Sequence, residues 1–213
     1  MSTDRGARVA ILLSGRGSNF LALHGAMERG EVPAHIVRVI GNVPDAQGLS
    51  RAQDLRLPTV CIPHRLENSR EAHEAKVMAA LDDARVDWIC LAGYMRLLSE
   101  TFIAHYRDRI LNIHPSLLPS FPGREPQRQA IEHGVRVSGC TVHFVNEGLD
   151  SGPIVVQRVV AVHDHDSEES LSARILTEEH RAYPEALALL LTHDWRIDGR
   201  RVLFSGRGAR PLV

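Results

Sequence analysis

Through the first 114 residues, short apolar runs alternate with segments of helical period, and this alternation constrains the fold more than any other feature of the chain. Residues 8–13, RVAILL, form an apolar run that ends in SGRGSN. A run of that length closed by glycines predicts a buried strand feeding a tight loop. Residues 18–29 follow with Phe20, Leu21, Leu23 and Met27 on a helical pattern, and Ser18 or Asn19 is the candidate cap. The same alternation predicts strands over 35–41, 58–62, 87–92 and 109–114, and helices over 48–55, 69–85 and 97–105. In the 69–85 helix, Ala72, Ala75, Val77, Met78 and Leu81 are available to pack. Strand–helix alternation implies parallel strands joined by right-handed crossovers.

The second half departs from that rhythm. A helix is predicted over 125–134, then two strands, 137–145 and 153–162, with no helix between them. Such neighbours imply antiparallel additions. Residues 167–191 are the longest helical stretch; they begin with the acidic SEES, which suits the helix dipole, and contain Pro184, expected to kink or split them. Asp198-Gly199 marks a small hairpin near the end. The fold class expected is α/β: a Rossmann-like, mostly parallel sheet with helices on both faces and antiparallel additions in the C-terminal half. With 213 residues, 44% of them hydrophobic, one domain over 1–213 is the economical organisation. Its halves fall at about 8–110 and 111–195.

Several function classes are disfavoured. Twenty-five basic residues balance 26 acidic ones, so no broad electrostatic footprint for nucleic acid exists. Lys76 is the only lysine, and the arginines are scattered as codon bias would scatter them. The longest apolar runs, such as 184–192, fall short of the roughly 18 residues that a membrane span requires. The N-terminus turns glycine-rich too early for a signal peptide, so a cytoplasmic location is expected. Cys61, Cys90 and Cys140 are too widely spaced for a metal motif, and Cys90 and Cys140 lie in apolar strands as buried thiols do. His163-Asp164-His165 lacks a third ligand nearby and reads as a solvated loop. His143 lies on an alternating strand, either in the core or hydrogen-bonded.

Three segments carry chemistry. Ser14-Gly15-Arg16-Gly17-Ser18-Asn19 lets the backbone approach a ligand closely, and the free N–H groups of the helix after it suit an anion. Phe20 stands where the dinucleotide fingerprint needs its third glycine, so a plain strand–helix turn is the competing reading. Asn112 and His114 are two apart on a strand and project to one side at its carboxyl end, where open α/β sheets place ligands. An amide beside an imidazole can stabilise a developing oxyanion and exchange a proton; a histidine merely satisfied by hydrogen bonds is the alternative. Prolines 115, 119 and 122 stiffen the following loop, and Leu118-Pro119 is a candidate cis bond. Asp150, in GLDSGP, is either a turn residue or a carboxylate that stabilises the cationic form of His114.

The order of SGRGSN, LAGYMRLLS, LNIHPSLLPSFPG, CTVHFVNEGLDSGPI and TEEHRAYP closely resembles the phosphoribosylglycinamide formyltransferases, the glycinamide ribonucleotide transformylases of purine synthesis. The resemblance spans roughly residues 8–190. It implies formyl transfer from 10-formyltetrahydrofolate, a co-substrate, to the amine of 5-phosphoribosylglycinamide, with no metal and no covalent enzyme intermediate. It assigns Asn112, His114 and Asp150 to catalysis. It assigns Gly17, Ser18, Asn19 and Glu179 to the ribonucleotide. Arg70, Met95, Arg96, Leu97 and Leu98, with Asn112 and the stretch Asn146, Glu147, Gly148 and Leu149, it assigns to the folate. Partners are these small molecules, with no nucleic acid and no membrane; a homodimer is compatible.

Three positions leave the family pattern. Glu125 stands where a histidine is common, Ser120 where a basic residue often follows, and Leu176 where a polar residue often helps hold the ribonucleotide. Alternatives are a 10-formyltetrahydrofolate hydrolase, another folate-dependent formyltransferase or a non-catalytic nucleotide-binding regulator. The chain length, with about 20 residues after the last predicted helix, disfavours an appended RNA-binding module.

Overall fold

The computed structural model describes residues 6–205. The chain divides into two compact units, the first ending at Leu111 and the second beginning at Asn112.

In the first unit, β1 (Ala7–Leu13), β2 (Ala34–Gly41), β3 (Thr59–Cys61) and β4 (Trp88–Leu91) pair in the order β3-β2-β1-β4, all parallel. The run that ends in SGRGSN is the centre of this sheet: Val9 to Leu13 are wholly buried. Burying each of the valine, isoleucine and leucine side chains contributes about 1.5–3 kcal/mol, which outweighs any local propensity. The intervening helices are α1 (Ser18–Glu28), α2 (Gln47–Asp54), α3 (Arg70–Asp83) and α4 (Glu100–His105), with a 3₁₀ turn at His64–Leu66. β5 (Ile110–His114) starts in this unit, where the carbonyl of Arg109 accepts from the N–H of Ile89 at 2.8 Å.

Three expectations need correction here. The N-cap of α1 is neither Ser18 nor Asn19 but Gly17, at φ 74°, and no side chain caps the helix. Only glycine enters that left-handed region without strain. In α3, Ala75 is exposed, and the buried face is His73, Glu74, Val77 and Leu81. The polar pair is satisfied internally: His73 Nε2 reaches the Ile62 carbonyl at 3.0 Å, and Glu74 receives the Ser99 N–H at 2.9 Å and the Ser99 hydroxyl. Finally α4 starts at Glu100 rather than Leu97, because Ser99 is its N-cap.

In the second unit, α5 (Pro126–Glu132) precedes β6 (Val137–Phe144) and β7 (Ile154–Ala161), which pair antiparallel. After α6 (Glu168–Thr192), β8 (Asp194–Asp198) and β9 (Arg201–Ser205) form the hairpin about Asp198-Gly199. The order is β6-β7-β9-β8. α6 packs on β6 and β7 and starts with a capping box between Ser167 and Ser170, Glu168 and Glu169 lying in its first turn. Pro184 does not split it. The missing hydrogen bond costs about 3 kcal/mol, but Ala182, Tyr183, Ala186 and Leu187 are all fully buried around it. Tyr183 and Leu187 alone are worth that much. Among the described residues no helix is long and apolar enough to cross a membrane.

Candidate active site

β5 carries Asn112 and His114 into the second unit at its carboxyl end. The chain then enters a loop held by its own polar groups. The Ser116 hydroxyl donates to the carbonyl of Ser120 at 2.6 Å, and Thr141 Oγ1 donates to the Ser116 carbonyl at 2.7 Å while accepting the Leu118 N–H at 3.0 Å. Leu118-Pro119 is cis, as the proline spacing allowed. This loop sets the carbonyl of Phe121 2.8 Å from His114 Nε2. A carbonyl only accepts, so Nε2 carries a proton and donates it. The other nitrogen, Nδ1, faces Asp150 Oδ2 at 3.5 Å. Both side chains are largely buried, 7% and 12% exposed, so the charge of Asp150 is poorly screened where it meets the ring.

Asp150 is held on two sides. The Gly123 N–H donates to its Oδ2 at 2.8 Å, and Arg200 Nη2 reaches its backbone carbonyl at 3.3 Å. Its backbone is left-handed at φ 46°, a conformation that aspartate tolerates better than most side chains. The loop before it is tight. The Ser151 hydroxyl donates to Asn146 Oδ1 at 2.8 Å, and a Cβ on Gly148 would sit 2.2 Å from that hydroxyl.

The structure adds His143, which the sequence left between core and hydrogen-bonded residue. Its Nδ1 lies 2.9 Å from the Phe144 carbonyl, so Nδ1 carries the proton. Nε2 then offers a lone pair to the Asn112 amide, 3.3 Å away, which fixes which end of that amide is the nitrogen. Asp150 Oδ1 lies 3.7 Å from the same Nε2. Burial pushes the His143 pKa down to about 4, against the opposing pull of the Phe144 carbonyl and Asp150. It is thus a neutral acceptor at neutral pH. The signal was present: Thr141 and His143 are polar at a spacing of two on β6, one face of the strand. Spacing did not say which residues that face meets.

The other candidate residues are placed as follows. In the first unit the glycine loop and the LAGYMRLLS segment, separate in sequence, meet: the Ser14 N–H donates to the Gly93 carbonyl at 3.0 Å, and Ser14 Oγ accepts the Met95 N–H at 2.8 Å. Met95 and Leu97 are 79% and 66% exposed, an apolar surface beside Arg96 and Leu98. Arg70 opens α3 one turn before Glu74, which binds Ser99 at the end of that segment. Gly17 and Asn19 are buried at the start of α1, with Ser18 partly exposed. In the second unit Glu179 is buried on α6, and Leu149 is exposed, its side chain 3.4 Å from where a Cβ on Gly123 would stand. Glu125, at φ 54°, caps α5 and faces Arg128 at 3.5 Å. The Cys140 thiol, pushed up to about 12 by burial, is inert. No group of histidine, cysteine and carboxylate able to hold a metal exists among the described residues.

Comparison with known proteins gives a consistent result. The chain is 48% identical over 193 residues to the trifunctional purine biosynthetic protein adenosine-3 of Drosophila melanogaster, covering 90% of this chain but only 14% of that protein's length. It is 40% identical over 192 residues to the phosphoribosylglycinamide formyltransferase of Escherichia coli, covering 90% of this chain and 88% of the relative. The crystal structure of glycinamide ribonucleotide transformylase 1 from Symbiobacterium toebii superposes with a TM-score of 0.91 at 46% identity, covering 94% of each chain. It shares the mixed, mainly parallel α/β fold. The family model described as formyl transferase matches residues 7–187, and the chain therefore belongs to the formyl transferase family.

Proposed function

We propose that this chain transfers the formyl group of 10-formyltetrahydrofolate to the amine of 5-phosphoribosylglycinamide, giving formylglycinamide ribonucleotide and tetrahydrofolate. The observation that carries the chemistry is the meeting of His114 and Asp150 at 3.5 Å, beside an Asn112 amide whose nitrogen is oriented by His143. The substrates follow from the transformylases that the chain matches over nearly their whole length.

In the transfer, the amine nitrogen attacks the formyl carbon and the carbonyl oxygen becomes an oxyanion. The new C–N bond forms first; the bond from that carbon to N10 of the folate then breaks. The amine loses a proton and N10 gains one, so the step balances with no metal or redox partner. The Asn112 N–H and the His114 imidazolium supply hydrogen bonds where the negative charge develops. With Nε2–H committed to the Phe121 carbonyl, Nδ1 is the nitrogen that holds and releases the exchangeable proton. Asp150 stabilises the charged ring electrostatically from 3.5 Å, too far to fix that proton in a short bond.

For binding, α1 has no side-chain cap and no acid in its first turn, so the positive end of its dipole suits the substrate phosphate. For the folate, the first unit offers the exposed apolar Met95 and Leu97 with Arg70, Arg96 and Leu98, and the second unit offers the Asn146–Leu149 stretch, whose Leu149 is exposed. Glu179 is the ribonucleotide contact on α6.

The test is a formyl-transfer assay with purified protein and both substrates, with a control lacking the ribonucleotide. Formylated ribonucleotide with little free formate is expected. Formate release at the same rate without the ribonucleotide overturns the assignment in favour of a hydrolase.

A further inference from the structure

The SGRGSN loop is not free-standing. Two carbonyls of the loop point at α2: Gly15 O accepts the Gly48 N–H at 3.0 Å, and Arg16 O accepts Arg51 Nη1 at 3.0 Å. The backbones also approach closely, for a Cβ on Gly17 would stand 2.8 Å from Gly48 Cα, and one on Gly48 would stand 2.7 Å from the Leu13 side chain. A trans peptide holds its C=O and the next N–H antiparallel. Turning the Gly15 and Arg16 carbonyls toward α2 therefore turns the Arg16 and Gly17 N–H groups away from it. Two successive N–H groups pointing one way make an anion-binding nest. They run directly into the uncapped N-terminus of α1.

We infer that Arg51 is a positioning residue for the substrate phosphate: by pulling the Arg16 carbonyl outward it sets the polarity of the loop, so that N–H groups and not carbonyl oxygens face the anion. This rests on the reading that the loop takes the ribonucleotide phosphate. Gly48 performs the same task one residue earlier, with its own N–H. Arg51 differs in two ways: its contact comes from a side chain, which substitution can remove, and its positive charge adds to the field at the loop.

The experiment compares glycinamide ribonucleotide with its dephosphorylated riboside on the intact protein. Wild type is expected to bind the phosphorylated form much more tightly. Arg51→Ala should weaken ribonucleotide binding and raise its KM about tenfold or more, leave riboside affinity unchanged, and leave kcat and the KM for formylfolate near wild type. Arg51→Lys, which keeps a charged donor, should recover much of the loss. Thermal unfolding within a few degrees of wild type checks that the fold is intact. If wild type discriminates and Arg51→Ala discriminates equally, the inference on Arg51 is overturned alone. If wild type itself does not discriminate, the phosphate reading falls and this inference with it. A variant that loses formylfolate and riboside affinity in parallel shows general loosening and also overturns it.

Discussion

His114 has both ring nitrogens facing named oxygens, so its role can be tested at a single side chain. His114→Ala should lower kcat by about 10²–10⁴-fold, the usual worth of a positioned acid or base. Steady-state rates beside a thermal melt check this, with the melting temperature expected to stay close to wild type. Asp150→Asn removes the carboxylate facing His114 and His143 while keeping the size of the side chain. It should lower kcat while the melting temperature holds; an unchanged kcat would separate Asp150 from the reacting proton. The folded pKa of His143, about 4, lies below the ordinary 6.5, so the unfolded chain takes up the proton first. Its contribution to stability is complete above about pH 6.5 and is lost as pH falls toward 4. Denaturant melts at pH 7 and pH 4.5 should show His143→Gln with a shallower loss than wild type. Asn112 and His114 were legible in sequence because a spacing of two on a strand fixes a common side. Asp150 was legible as a candidate carboxylate in GLDSGP, but its meeting with His114 was not, since it lies 36 positions further along the chain and local physics does not bridge that gap.

At the level of elements, serines and glycines do work that composition hides. Ser69, Ser99 and Ser167 each cap a helix. Ser69→Ala should cost about 1 kcal/mol, the ordinary value of an N-cap. Ser99→Ala should cost more, by about 1–3 kcal/mol, because it also removes a hydroxyl from the buried carboxylate of Glu74. Paired chemical melts of the two variants separate these costs. Gly152 reads as a turn residue in sequence, yet a Cβ there would stand 1.8 Å from the Phe144 carbonyl oxygen. Gly152→Ala should therefore destabilise by about 1–3 kcal/mol and displace the Asp150 loop, lowering kcat. The boundaries of strands were readable to within a residue or two, because apolar runs ended at glycines and prolines. The inward face of α3 was not: an apolar count favoured Ala75, whereas the buried residues include His73 and Glu74, whose partners Ile62 and Ser99 lie in other segments.

Over the whole molecule, ligand linkage offers a test that needs no assay of chemistry. Glycinamide ribonucleotide at 100 times its Kd should stabilise the native state by about 2.7 kcal/mol, while glycinamide alone at the same concentration should do far less; thermal-shift measurements read both. The fold class was legible because the alternation of periods repeats over more than a hundred residues. How the binding loops are held was not, for it depends on carbonyls and N–H groups that every residue possesses. That leads to a consequence of the Phe121 contact. The group that orients the His114 ring is a peptide oxygen, and Asp150 is steadied by the peptide N–H of Gly123. Drift in side-chain identity at 121 leaves the oxygen in place, so relatives can diverge there without loss, and alanine scanning will pass over it. Only chemistry on the main chain can reach it. Replacing Pro122 with an α-hydroxy acid turns the Phe121 amide into an ester, whose carbonyl is a poorer acceptor, and loosens the imidazole; because the ester also opens the proline ring, Pro122→Ala with its amide intact is the control.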